Sequence, residues 1–94
     1  MTERDTYIEN MLLELDTLND QLSALEARAA HAHQEVRQAC KGELARLRVL
    51  SDEALQKWDA MKASGEASWH QWVPDMDRTH DAFFRAFHHL KARL

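Results

Sequence analysis

Histidine is the residue type in this chain best suited to metal chemistry, because six of the 94 residues are histidines. Neighbouring histidines are badly spaced for chelation: His31 and His33, like His88 and His89, would point to different faces of a helix. Each pair at a workable helical spacing offers two ligands, where zinc takes three or four. These pairs are His31 with Glu35, Glu66 with His70, and Asp77 with His80. We therefore expect no metal site within one chain, and metal binding would need histidines from across an oligomer interface.

Cys40 is the single cysteine, so no disulfide can form within the chain. It lies on an apolar face and is expected to be a small buried hydrophobe. Arg37 and Lys41 are near enough in sequence to keep a reactive thiol as the alternative. The sequence contains no nucleophile–base arrangement and no glycine-rich phosphate loop, so we expect neither an enzyme nor a cofactor.

Beyond residue 68, a seam of mainly apolar residues repeats every seventh residue, and this segment is richer in aromatic residues than the first helix, with Phe84 lying beside the seam. This pattern is typical of a helix that packs into a core. The alternative is a peripheral helix that binds a membrane or lipid surface through its phenylalanines, with Arg78 and Arg85 on the lipid headgroups. The acidic residues Asp75, Asp77 and Asp81 weaken that alternative. The expected core positions are Trp58, Trp69, Val73, Met76, Phe83, Phe87 and Leu90, and His80 and Leu94 share the same repeat.

A helical apolar repeat runs from Ile8 to Met61 and contains no proline and one glycine, Gly42. Apolar residues recur at two positions of a heptad, which is typical of a helix that packs along its length against another helix. A single helix cannot bury its own stripe, so a second subunit is expected to cover the N-terminal part. The expected interface residues are Ile8, Met11, Leu15, Leu18, Leu22, Leu25 and Val36.

Helix boundaries follow from capping residues and breakers. Thr2 is expected to begin the first helix, and Gly65 to end it. Gly42 could instead start a hairpin and give a three-helix bundle, but its neighbours are good helix formers and favour continuity. The sequence thus predicts one all-α domain, residues 1–94, with a helix at about 3–63, a break at about 64–68 and a second helix at about 69–94, kinked or started near Pro74. The second helix folds back along Val36–Trp58 as a helical hairpin.

Charge is distributed unevenly along the chain, although the net charge is only −4. Residues 1–26 carry seven acidic side chains and one basic one, whereas residues 27–50 carry five basic and two acidic ones. An antiparallel homodimer would set the acidic stretch of one chain against the basic stretch of the other. We therefore expect an antiparallel homodimer in which the two Cys40 thiols lie far apart.

The composition also excludes several classes of partner and location. An acidic chain without a dense basic patch is not expected to bind nucleic acid. No stretch contains about 18–20 consecutive uncharged residues, which is the length needed to cross a bilayer. The acidic N-terminal residues argue against a signal peptide, so a cytoplasmic location is expected.

Several segments together resemble a family of small bacterial coiled-coil proteins described as stress-response proteins. They are Tyr7-Ile8-Glu9, the acidic leucine run of residues 12–19, the segment of residues 62–69 that reads Lys-Ala-Ser-Gly-Glu-Ala-Ser-Trp, and the closing Ala92-Arg93-Leu94. Trp72, Pro74 and the many histidines depart from the family pattern. The resemblance carries over no catalytic residues. It implies a self-associating helical protein with a structural or interaction role linked to stress.

Overall fold

Three helices, each antiparallel to the next one in the sequence, form most of the described chain, which in this computed structural model is residues 2–94. They are α1 (Glu3–Ala30), α2 (Gln34–Ala63) and α3 (Val73–Arg93), with a short 3-10 turn at Trp69–Gln71 before α3. The bundle measures 51 × 19 × 18 Å. The protein is therefore an all-α helical bundle, as its apolar periodicity predicts.

The prediction of a single helix over residues 3–63 is wrong, because α1 ends at Ala30 and the chain reverses direction at residues 31–33. His33 has an extended backbone (φ −55°, ψ 147°), which directs the chain into α2. No residue of the described chain has a positive φ, so this turn needs no glycine. Folding back lets α2 cover the apolar stripe of α1, which removes far more apolar surface from water than one unbroken helix could.

The other helix boundaries agree with the sequence-based expectations. Thr2 caps α1, since its Oγ1 accepts a hydrogen bond of 3.1 Å from the Asp5 backbone N–H. Gly42 lies within α2, and α2 ends at Ala63, where the break was expected. Pro74 lies in the first turn of α3, where a missing backbone N–H breaks no helical hydrogen bond.

The α1 stripe that was expected to bind a second subunit is instead the core of the monomer. Its buried members are Ile8, Met11, Leu15, Leu18, Leu22 and Leu25. Val36 differs from them, with 38% of its surface exposed. Val36 lies in the first turn of α2. The end of α3 reaches only to the level of Glu43, with which Arg93 forms an ion pair, so α3 does not extend as far as Val36. The stripe therefore gives no reason to expect a partner.

The C-terminal seam forms the other side of the core. Phe83 and Phe87 are 0% and 1% exposed, so they face the bundle interior and not the solvent. Val73 is half-buried at the edge of the same cluster. The remaining seam residues that were expected in the core are buried, and they are Trp58, Trp69, Met76 and Leu90.

Polar contacts fix how α1 pairs with α2. Arg48 of α2 donates through Nε to Glu26 Oε2 at 3.1 Å and through Nη1 to Asn19 Oδ1 at 2.7 Å. Its Nη2 also reaches Ser23 Oγ at 3.0 Å. At the other end, Arg4 Nη2 donates to the Lys62 carbonyl that ends α2. Within one chain, the acidic stretch therefore meets the basic stretch only near its end, where Glu26 pairs with Arg48.

Candidate interaction groove between α1 and α3

An open groove of about 360 Å³ runs between α1 and α3, halfway along the bundle. Two large apolar side chains stand exposed in it: Leu13, at 66%, and Phe84, at 44%. We call this surface the α1–α3 groove. Its lining residues are Leu13, Glu14, Thr17, Leu18 and Gln21 of α1 and His80, Phe84 and His88 of α3.

Heptad position explains why Leu13 is exposed. Met11 and Leu15 on either side are buried, so Leu13 points outward from α1. One turn further, Thr17 Oγ1 donates to the Leu13 carbonyl at 2.8 Å. This contact satisfies the hydroxyl group within the helix, so Thr17 does not need a polar partner. The α1 wall of the groove is therefore less polar than its residue types suggest.

The α3 wall is a row of aromatic rings spaced four residues apart. The rings of Phe84 and His88 have centroids 4.3 Å apart, and those of His80 and Phe84 are 6.2 Å apart. His80 Nε2 lies 3.4 Å from Glu14 Oε2, which joins the two walls at one end of the groove. Phe84 is thus held between two imidazoles while part of its ring still faces water.

Charge separates along the length of the bundle, on either side of this groove. We call residues 17–48 and 84–94 the basic half and residues 2–16 and 49–83 the acidic half. The helices are level at this division, since Asn19 contacts Arg48 and Glu14 contacts His80. The basic half has eight Lys and Arg side chains against four acids, whereas the acidic half has four against twelve. The two halves therefore carry about +4 and −8.

The histidine pairs considered for metal binding are directed elsewhere. His31 lies in the α1–α2 connection, so it has no helical spacing to Glu35. Asp77 accepts a hydrogen bond from the Tyr7 hydroxyl, and His80 contacts Glu14. Across residues 2–94, no three His, Cys, Asp or Glu side chains are close enough to share a metal ion.

Cys40 is buried at 3% exposure in the core cluster, where the sequence pattern places it. A buried thiol reacts slowly with oxidants, whatever the arrangement of two chains. Oxidation of Cys40 therefore does not distinguish a parallel from an antiparallel dimer. No helix of the described chain is long and apolar enough to cross a membrane.

Sequence reasoning placed Phe84 beside the C-terminal seam but did not single out Leu13. The available signal was a large apolar residue at a heptad position that Thr6, Asp20 and Ala27 otherwise occupy along α1. Its significance depends on Phe84, which lies across the groove and far away in sequence. Their proximity follows from how α3 packs on α1.

Comparisons with protein-family models, with curated proteins and with solved structures find no match to this chain.

Proposed function

We propose that this protein is a non-catalytic helical bundle that self-associates as an antiparallel homodimer through the α1–α3 groove. The observation that carries the proposal is the pair of exposed apolar side chains, Leu13 and Phe84, on one groove in the middle of the bundle. Apolar side chains gathered at one concave place, in a bundle whose core is otherwise closed, favour a contact surface.

The charge distribution favours a second copy of the chain as the occupant. A two-fold axis through the middle of the groove would lay the acidic half of each copy along the basic half of the other. A parallel arrangement would set two acidic halves, each of about −8, side by side. The same axis would set the groove of one copy against the groove of the other, so that Leu13 and Phe84 of both copies are covered at one contact. Charge therefore favours the antiparallel geometry, and this geometry also covers the exposed apolar side chains.

The expected affinity is modest. Burying an exposed leucine or phenylalanine contributes up to about 1.5–3 kcal/mol, and the dimer contains two of each. Association itself costs about 4–15 kcal/mol, a range that the apolar contribution does not clearly exceed, so the attraction between the charged halves has to contribute as well. We expect a monomer–dimer equilibrium that depends on protein concentration and weakens as salt screens the charges.

Sedimentation equilibrium at pH 7.5 and low salt tests this equilibrium. Leu13→Gln should weaken the dimer at least tenfold, because each dimer loses two buried leucines. Val49→Gln is the matched control, since Val49 is 55% exposed on α2, outside the groove. A wild-type mass that stays monomeric at all concentrations, or equal weakening by both substitutions, would contradict the proposal.

Spin labels test the orientation. A label on Ala27→Cys, in a Cys40→Ser background, lies ten residues from Thr17 near the proposed axis. At about 1.5 Å per residue, the antiparallel dimer separates the two labels by about 30 Å along the bundle. A parallel dimer would hold them level with each other, so a short distance set by the bundle width alone would exclude the antiparallel form.

The lipid-surface alternative has less support, because Phe83, Phe87 and Leu90 are buried in the core. Phe84 is the one phenylalanine of the described chain that α3 exposes to solvent. A role in stress response is a further part of the proposal and rests on the sequence resemblance.

A further inference from the structure

Four of the six histidines lie in the basic half of the bundle. His31 and His33 form the α1–α2 connection, and His88 and His89 lie near the end of α3. In the sequence, 54 residues separate these two pairs, and the antiparallel packing of α3 on α2 brings both pairs into the same half of the bundle. Histidine gains a positive charge as the pH falls through its usual pKa of about 6.5. Mild acid therefore adds charge mainly where the bundle is already positive.

The surroundings of these histidines contain little free negative charge. His89 lies beside Arg46, Arg85 and Glu43, and Glu43 is paired with Arg93. His88 lines the groove together with Gln21, two turns beyond His80, which is the histidine that contacts Glu14. The rings of Phe84 and Phe87 contact the ring of His88.

The α1–α2 connection is also mainly basic. His31 and His33 are exposed, and Arg28, Glu35 and Arg37 lie within a few residues of them along the chain. Glu26, two residues before Arg28, is paired with Arg48. Added charge on these four histidines is thus mostly uncompensated within one chain and remains available to a partner.

We infer that mild acidification strengthens the antiparallel self-association of this protein, an inference that rests on the proposed dimer. Full protonation of the histidines takes the basic half from about +4 to +8 and the acidic half from about −8 to −6. Each basic half then attracts the acidic half of the other copy more strongly.

The charge of the whole chain changes in the same direction. It moves from about −4 to +2, which reduces the general repulsion between two copies. Both the local and the overall effect therefore favour the dimer at low pH.

The test compares dimer dissociation constants at pH 7.5 and pH 5.5 by sedimentation equilibrium at constant low ionic strength. We expect the constant to fall at least fivefold at pH 5.5, and this gain to vanish in high salt because the charges are screened. Substituting His31→Gln, His33→Gln and His89→Gln together should remove most of the gain, since these three lie in the basic half outside the groove. His70→Gln is the control, because His70 is exposed in the acidic half.

Association near the isoelectric point, about 5.8, needs its own control. Leu13→Gln should weaken the dimer at pH 5.5 by the same factor as at pH 7.5. The mass of the wild-type protein at pH 5.5 should not exceed that of a dimer. Larger aggregates, or acid association that Leu13→Gln does not weaken, would overturn the inference.

The remaining outcomes separate this inference from the proposed function. If the dimer dissociation constant is the same or higher at pH 5.5 than at pH 7.5, the acid effect is overturned and the groove dimer remains. The same conclusion follows if His70→Gln removes as much of the acid-induced gain in affinity as the triple substitution does. A monomer at both pH values would overturn both.

Discussion

The indole Nε1 of Trp58 donates a buried hydrogen bond of 2.9 Å to the backbone carbonyl of Ile8, fifty residues away. This bond ties the C-terminal part of α2 to the first turns of α1. It exists because the chain reverses at residues 31–33, which brings the two ends of the helical pair together.

Trp58→Phe should therefore lower the free energy of unfolding by about 1–2 kcal/mol. The change removes the indole N–H and leaves a buried carbonyl with one partner fewer. Chemical denaturation followed by circular dichroism measures the loss. Trp72→Phe is the control, because Trp72 is half-buried and its indole has no hydrogen bond within residues 2–94. Equal losses in the two variants would mean that ring volume, and not the hydrogen bond, determines the effect.

Proline substitutions distinguish the observed turn from a continuous helix. At His33, φ is −55°, which suits proline, and the residue lies outside both helices. His33→Pro should change the stability by less than about 1 kcal/mol, whereas Ala45→Pro inside α2 should cost about 3 kcal/mol or more. Thermal melting of both variants checks this. Severe destabilisation by His33→Pro would indicate that the helix continues through residue 33.

Two adjacent phenylalanines should respond very differently to truncation. Phe83 is 0% exposed, and its replacement by alanine should cost about 3–5 kcal/mol, because it leaves a cavity in the core. Phe84→Ala should cost less than about 1 kcal/mol in the monomer, because the side chain is 44% exposed. Urea unfolding at a protein concentration below the dimer dissociation constant gives both values for the monomer. Similar costs would contradict the orientation of α3.

Tyr7 should ionise at unusually high pH. Burial raises the pKa of its hydroxyl, and the hydrogen bond to Asp77 and the negative charges of Asp77 and Glu14 raise it further. Because the folded pKa exceeds the unfolded value of about 10, the stabilisation is fully present below pH 10 and is lost as the pH rises through the folded pKa.

Tyr7 is the single tyrosine in the chain, so ultraviolet absorbance follows it alone. The folded protein should show no tyrosinate signal at pH 10, where the protein in urea is half ionised. Asp77→Asn should lower the folded pKa but leave it above 10, since burial is the largest cause. A folded protein that titrates like the unfolded one would contradict this environment.

The sequence by itself determined the all-α class, the burial of the heptad residues, the Thr2 cap and the break after Ala63. These features are local or periodic, so the residues that specify them lie within a few positions of one another. Pro74 marked the start of α3 for the same reason, because its effect on the backbone is confined to one turn.

Tertiary structure decided what the α1 stripe packs against. The stripe from Ile8 to Leu25 needs an apolar partner, but its spacing is equally suited to another chain or to α2 and α3 of the same chain. The turn at residues 31–33 made that choice without the glycine or proline that would have marked it. The α1–α3 groove depends on the same turn, and so does the location of His31, His33, His88 and His89 in one half of the bundle. The packing of distant segments leaves no periodic signal in the sequence.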